Sequence, residues 1–304
     1  MYSLSTCWNS HRHTDGRAML QEIRELGFEY AELSHGIRIS LVPGILEAVQ
    51  AGEIKISTLH NFCPLPMGIN HAAPNIFKFT SAERRERENA WKHSLKTIDF
   101  AERVGAKLIV LHSGAIELKD YNEVLEDYVE KGLKDTPKYQ KLVQEVEEKR
   151  LRRVEAPRQL AIEMISQLAQ QAGARGILLG IENREAVEEI PFDDDISFFL
   201  GELPENVRYW HDCGHAQIKE NLGFIAQHRM FLESMAPRLA GSHVHDVIPP
   251  GIDHCPPGSG MIDFAALAPF VTSDHIKVME LNPNVPVEDV KKGIEFLHHV
   301  WGPE

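Results

Sequence analysis

The stretch "AKLIVLHSG", residues 106–114, carries the argument for the architecture. Leu108, Ile109, Val110 and Leu111 follow one another with no polar residue between them. A strand with one wet face alternates apolar and polar side chains. An unbroken apolar run suits a strand covered on both faces, as in a parallel sheet flanked by helices. His112 then ends the run, just before Ser113 and Gly114.

Upstream, "YSLSTC", "FEYAELS" and "IKISTLHNF" read as the first three strands. "GRAMLQEIRELG" and "VPGILEAVQAG" lie between them with helical spacing of apolar residues, and Gly27 suits a C-cap. After the third strand comes a loop with three prolines. The helix "SAERRERENAWKHSLKTIDFAERVG", started by Ser81, follows it. Downstream of His112 the connection is long, residues 113–176, and its centre is helical and highly charged at the start. Pro157 should kink or restart that helix. "GILLGIEN", "VRYWHDCG", "RLAGSHVHD" and "HIKVMELN" supply strands five to eight, and "VEDVKKGIEFLHHVWG" closes the chain as a helix.

Eight strands with helices between most of them, in 304 residues, fit an α/β fold. The expectation is a single (β/α)8 TIM barrel over residues 1–304 with a helical insertion at 113–160 after the fourth strand. The alternative, an open doubly wound sheet, lacks a Gly-rich phosphate loop after its first strand.

Composition narrows the partners. Hydrophobic residues make up 43% and charged ones 25%, as in ordinary soluble proteins. A net charge of −13 disfavours a nucleic-acid backbone as ligand. Cys7, Cys63, Cys213 and Cys255 form no CxxC unit and read as free thiols in a reducing compartment. The N-terminal stretch does not have the form of a signal peptide, and no apolar run reaches membrane-spanning length, so a cytoplasmic protein is expected.

In a parallel barrel the C-terminal strand ends share one rim, where the chemistry sits. The strand ends here carry His60, His112, Glu182, Asp212 with His215 just beyond, His243 with His245, and Glu280. The seventh loop adds Asp253 and His254. Singly, each has an ordinary reading: a hydrogen-bonded rim histidine, a Glu182 held by Arg184, an Asp212 that caps the next helix. Together, Glu182, Asp212 and Glu280 at one mouth would repel one another and drift to the neutral form. A divalent cation removes that conflict. With His243 the set offers one nitrogen and several oxygens, which suits Mn²⁺ or Mg²⁺ and accepts Co²⁺ or Zn²⁺.

"GIEN", "WHDCGH", "HVHD" followed by "DHCPPGSGMIDF", and "VMELN" resemble, in order and spacing, the xylose isomerase-like barrel superfamily. That group includes sugar epimerases of the tagatose and allulose type, hydroxypyruvate isomerase, inosose dehydratase and endonuclease IV. The resemblance covers nearly the whole chain. It implies one metal ion, Mn²⁺ first among the choices, on Glu182, Asp212, His243 and Glu280. It also implies a substrate contact at His215 and a His254 that points into the site. The implied chemistry is isomerisation or epimerisation of a sugar-like hydroxy-carbonyl compound through a metal-stabilised enediolate. Glu182 and Glu280, on strands from opposite sides of the rim, would exchange the proton.

The rival implied by the same resemblance is a three-zinc phosphodiester hydrolase, for which His60, His112, His215 and His254 match further ligands. That pattern is broken where the family's aspartate is Ile252, and the adjacent Asp253 should project differently. A lyase or dehydratase acting on a small polyol is a further alternative. His245 and Arg184 complete the candidates for substrate or second-metal contact; Arg184 could equally pair with Glu185 or Glu188. His11, Arg12 and His13 read as a solvated loop, and Trp8 and Phe62 as packing. The charged run "QEVEEKRLRRVEAPR" reads as a solvated helix face, usable as a lid that also contributes to a homodimer.

Overall fold

The computed structural model describes residues 1–303. Eight parallel strands close into a barrel: β1 (Tyr2–Ser5), β2 (Tyr30–Leu33), β3 (Lys55–His60), β4 (Leu108–Leu111), β5 (Leu178–Glu182), β6 (Val207–Asp212), β7 (Leu239–Val244) and β8 (Ile276–Met279). Each pairs with its sequence neighbours, and β8 closes on β1 with Ser3 opposite Val278. The expected (β/α)8 barrel is therefore present, not the doubly wound sheet.

The unbroken apolar run of β4 is explained by two cores. Leu108 and Val110 point into the lumen, where they pack with Trp210 and Val278. Ile109 and Leu111 point outward into the larger core beneath the helices. Alternation then turns the next inward residue of each strand toward the mouth. That layer is Ser5, Glu32, His60, His112, Glu182, Asp212, His243 and Glu280, one from every strand and all buried or nearly so.

The helices are α1 (Gly16–Glu25), α2 (Val42–Gln50), α3 (Arg84–Val104), α4 (Asn122–Glu130), α5 (Pro137–Leu151), α6 (Glu155–Gly173), α7 (Asp193–Glu202), α8 (Cys213–Leu222), α9 (His228–Met235), α10 (Phe264–Leu267) and α11 (Val287–Trp301). Helix α3 starts at Arg84 rather than Ser81, because the Ser81 hydroxyl is spent on the Glu83 amide and the Glu86 carboxylate. The long helix after β4 breaks at residues 152–154, and Pro157 lies in the first turn of α6, where a missing N–H costs nothing. Two short ribbons add to the rim: Gly114–Ala115 pairs with Glu189–Ile190, and Asp246–Ile248 with Ile252–Cys255. No helix among the described residues is long and apolar enough to cross a membrane.

The charged insertion is not simply a solvated face. Arg150 is buried and its guanidinium meets Asp195 Oδ2 and the carbonyls of Val187 and Glu189. Tyr139 donates to the Leu222 carbonyl at 2.7 Å. Helix α5 is thus fastened to the loop after β5 and to the end of α8.

Candidate metal centre

His243 sits at the centre of the mouth. Its Nε2–H donates to Glu32 Oε2 at 3.1 Å, which turns Nδ1 toward the neighbouring strands. Three carboxylates face that one nitrogen: Glu182 Oε1 at 2.6 Å, Glu280 Oε2 at 3.1 Å and Asp212 Oδ2 at 3.7 Å. Ligand atoms of Glu182, Asp212, His243 and Glu280 all lie within 4.8 Å of one another. Trp210 forms the floor, its ring edge-on to His243 at 5.1 Å. Glu182 and Glu280 are not on opposite sides of the rim; β6 and β7 alone separate their strands.

The electrostatics favour a positive charge at Nδ1. Burial disfavours an imidazolium, yet Glu280, Glu32 and Glu182 hold the His243 pKa well above its ordinary value. Burial pushes Glu182 upward, but His243, His112 and Arg184 keep it well below the usual carboxylate range. Asp212 is likewise pushed up by burial and held well below that range by His215 and His245. The donor set is one imidazole nitrogen and three carboxylates, which fits a hard or borderline divalent ion such as Mn²⁺.

The supporting contacts explain the motifs. Asp212 Oδ1 accepts from the His215 amide at 2.7 Å, so it does cap α8, as the ordinary reading held, while Oδ2 turns to the mouth. Asn183 accepts from the Asp212 amide at 2.7 Å and donates to the Asp212 carbonyl at 3.0 Å, pinning β5 to β6. His245 is not a mouth residue. It is fully buried, receives the His254 amide at Nδ1 and donates Nε2–H to Asp212 at 3.1 Å. Gly214 is required beside it, because a Cβ there would lie 2.0 Å from His245 Cε1. Asp246 accepts from the amides of Val247, Gly258, Gly260 and Ile262 and so shapes the "PPGSG" turn.

His215 donates Nδ1–H to the Asn183 carbonyl at 3.0 Å; burial lowers its pKa to about 4, so it is neutral at pH 7. His254 stacks on His245 at 4.3 Å and brings Nε2 to 3.9 Å from Glu280. It adopts φ 53, a left-handed conformation rare outside glycine. Asp253, expected to project differently from the family's aspartate, pairs with His254 at 2.9 Å and lies in one group with Glu185 and His215. A cleft of about 460 Å³ opens over Glu280 and His254, edged by His35, Arg38 and Asn282. A second, of about 410 Å³, reaches Arg184 and Glu189. Both are of small-molecule size.

His60 and His112 form a neighbouring group with Glu182. Arg184 enters it and pairs with Glu182, one of the partners the sequence offered, and with Glu189 in place of Glu185 or Glu188. Burial and the Arg184 charge lower the His112 pKa to about 3, so this ring is neutral. Trp8 and Phe62 are buried packing, and Arg12 and His13 pair with Glu22 on α1, away from the mouth. Cys213 faces outward with His211 and His228. There the two Nε2 atoms are hydrogen-bonded at 2.7 Å, which leaves no room for an ion between them.

Sequence reasoning missed Glu32, Asn183 and Glu189. Glu32 was legible in principle: it interrupts the apolar "YAELS" at the inward position that the other strands use for ligand-type residues.

No curated protein matches the chain. Solved structures do, at low identity. A putative xylose isomerase from Rhodospirillum rubrum superposes with a TM-score of 0.71 at 16% identity, covering 99% of this chain and 97% of that one. A 3-keto-D-glucoside 4-epimerase from E. coli gives 0.68 at 16%, covering 98% of each. A D-allulose 3-epimerase from Methylomonas sp., solved with D-allulose, gives 0.67 at 14%, covering 98% and 96%. These likenesses establish the fold. The family profile described as xylose isomerase-like TIM barrel matches residues 20–299, and the chain therefore belongs to that family.

Proposed function

We propose that this chain is a metal-dependent isomerase or epimerase of a small sugar-like hydroxy-carbonyl compound, acting as one barrel in the cytoplasm. The observation that carries the reading is the convergence of Glu182, Asp212, Glu280 and His243 Nδ1 within 4.8 Å, with Glu280 also lining a cleft of small-molecule size. These four residues would hold the ion, Mn²⁺ first. A bound divalent ion supplies Lewis-acid polarisation of a carbonyl and its neighbouring hydroxyl.

The remaining work falls to side chains. Glu280 keeps Oε1 free of any protein hydrogen bond among the described residues and borders the cleft, so it is placed to take a proton from the carbon beside the carbonyl. Glu182, which faces the same His243 nitrogen, is the second carboxylate proposed to exchange the proton. Neutral His215, and His254 beside it, offer ring nitrogens to substrate hydroxyls. We read residues 113–160 as a lid that also contributes to a homodimer; the seating of Arg150 against the loop that carries Arg184 supports the lid.

The three-zinc hydrolase has less behind it. Ile252 is 60% exposed and offers no ligand, and the net charge is −13. The test is incubation of the Mn²⁺-loaded protein with a panel of ketopentoses and ketohexoses in D₂O, read by mass spectrometry. One deuterium beside the carbonyl is expected, and none with Glu280→Gln. Cleavage of a phosphodiester without any exchange on the panel would refute the reading.

A further inference from the structure

Beside the four-residue set lies a second group of metal-ligand type that the reading above leaves without a role. His60 Nε2 and His112 Nε2 are 3.2 Å apart, and Glu182 Oε2 is 2.7 Å from the second and 3.8 Å from the first. Both rings are held as metal-ligating histidines usually are, through the other nitrogen. His60 Nδ1–H donates to the Asn61 carbonyl at 2.9 Å, and His112 Nδ1–H to Asn75 Oδ1 at 2.9 Å. Glu182 divides its carboxylate, with Oε1 toward His243 and Oε2 toward this group. Two imidazole nitrogens and a shared carboxylate oxygen are what a second transition-metal ion requires.

Arg184 already sits there. Its NH1 donates to His112 Nε2 at 2.8 Å and to Glu182 Oε2 at 2.9 Å, the very atoms a metal would take. Behind it, Nε donates to Glu189 Oε1 at 3.1 Å, and Glu189 is fixed in the ribbon with Gly114–Ala115. The side chain is buried, and a guanidinium does not give up its proton in proteins. A metal ion about 2 Å from the same lone pairs would either overlap NH1 or force a buried cation away from both its carboxylates.

We propose that the Arg184 guanidinium takes the place of a second divalent cation among His60, His112 and Glu182, and so keeps this group free of metal. The proposal builds on the four-residue set as the site of the first ion. It makes Arg184 a positioning residue that sets metal count: it orients and neutralises Glu182 Oε2 with a fixed charge and keeps the imidazoles from recruiting a metal.

The test is the number of ions per chain by elemental mass spectrometry, after chelation and dialysis against excess Mn²⁺ or Zn²⁺. Arg184→Met is expected to hold one ion more than the wild type. Arg184→Lys, which keeps a cation, should match the wild type. Arg184→Met with His112→Ala should lose the added ion, which excludes adventitious binding. An Arg184→Met count equal to wild type overturns the proposal. Should Arg184→Met fail to fold, His112→Ala in the wild-type background decides: an unchanged count supports the proposal, and a count lower by one means that Arg184 steps aside for a metal and the proposal is wrong. The first site is judged separately, by the wild-type count and its loss in Asp212→Asn. A wild type without metal would strike that reading alone, because the gain on Arg184→Met is a difference between two chains.

Discussion

Glu32 touches no cleft, yet it fixes which nitrogen His243 turns toward the three carboxylates, with its own oxygens held by Ser5 at 2.8 Å and Thr58 at 2.8 Å. Outer partners of this kind typically change metal affinity by about 10–100-fold. Glu32→Gln should therefore weaken Mn²⁺ binding by about that factor with the barrel still folded, as titration calorimetry and circular dichroism would show; unchanged affinity would remove the orienting role. His243 also sets a pH dependence. Its pKa is raised in the folded chain, so its protonated form stabilises the metal-free protein below the unfolded histidine value of about 6.5, and that contribution is lost as pH rises through the folded value. A metal ion must displace the same proton. Mn²⁺ affinity should accordingly rise with pH above about 6, with proton release visible as a buffer-dependent heat of binding; flat affinity from about pH 6 to 9 would count against His243 as a ligand. The ligand-type residues were legible because each ends a recognisable strand. Glu32 was legible only by parity, because one carboxylate among apolar neighbours looks like a surface residue until its inward position is counted. The second partner of Arg184 was hidden for another reason: Glu189 lies on a ribbon formed with residues far away in sequence.

Among the elements, the turn from β6 into α8 and the seventh loop depend on each other. His245 lies across Gly214 and holds Asp212, so Gly214→Ala should push the ring off its carboxylate. A cost of about 1–3 kcal/mol, the usual range for overpacking, should appear as a lower denaturation midpoint together with weaker metal binding. A midpoint like that of the wild type would mean that the two elements are not coupled. The insertion offers a parallel case. Arg150→Ala takes from buried Asp195 one of its two arginine partners, leaving Arg158 at 3.5 Å, so the loss should be at most that of a fully broken buried pair, about 3–5 kcal/mol. Faster protease cleavage within residues 131–154 is expected, and unaltered cleavage would show that α5 is held without the Arg150 pair. Barrel strands could be read from the sequence because a short unbroken apolar run between turn residues needs cover on both faces, which a helix-wrapped barrel strand has. The insertion could not, because the buried Arg150 and the exposed charges around it look the same in a charged run.

In the whole molecule, eight strands each raise one inward residue to a common layer, and every one but Ser5 is an ionisable group that an apolar lumen cannot hold without compensation. Arg184 and His245 answer part of that charge from outside the layer. The rest converges on His243 Nδ1, and the account stands on a divalent ion being what it converges for. Crystals soaked in MnCl₂ and measured for anomalous scattering test this directly. A single peak is expected within bonding distance of Glu182, Asp212, His243 Nδ1 and Glu280, and it should vanish in His243→Ala. An anomalous map without a peak among those four side chains, at saturating Mn²⁺, would contradict the account.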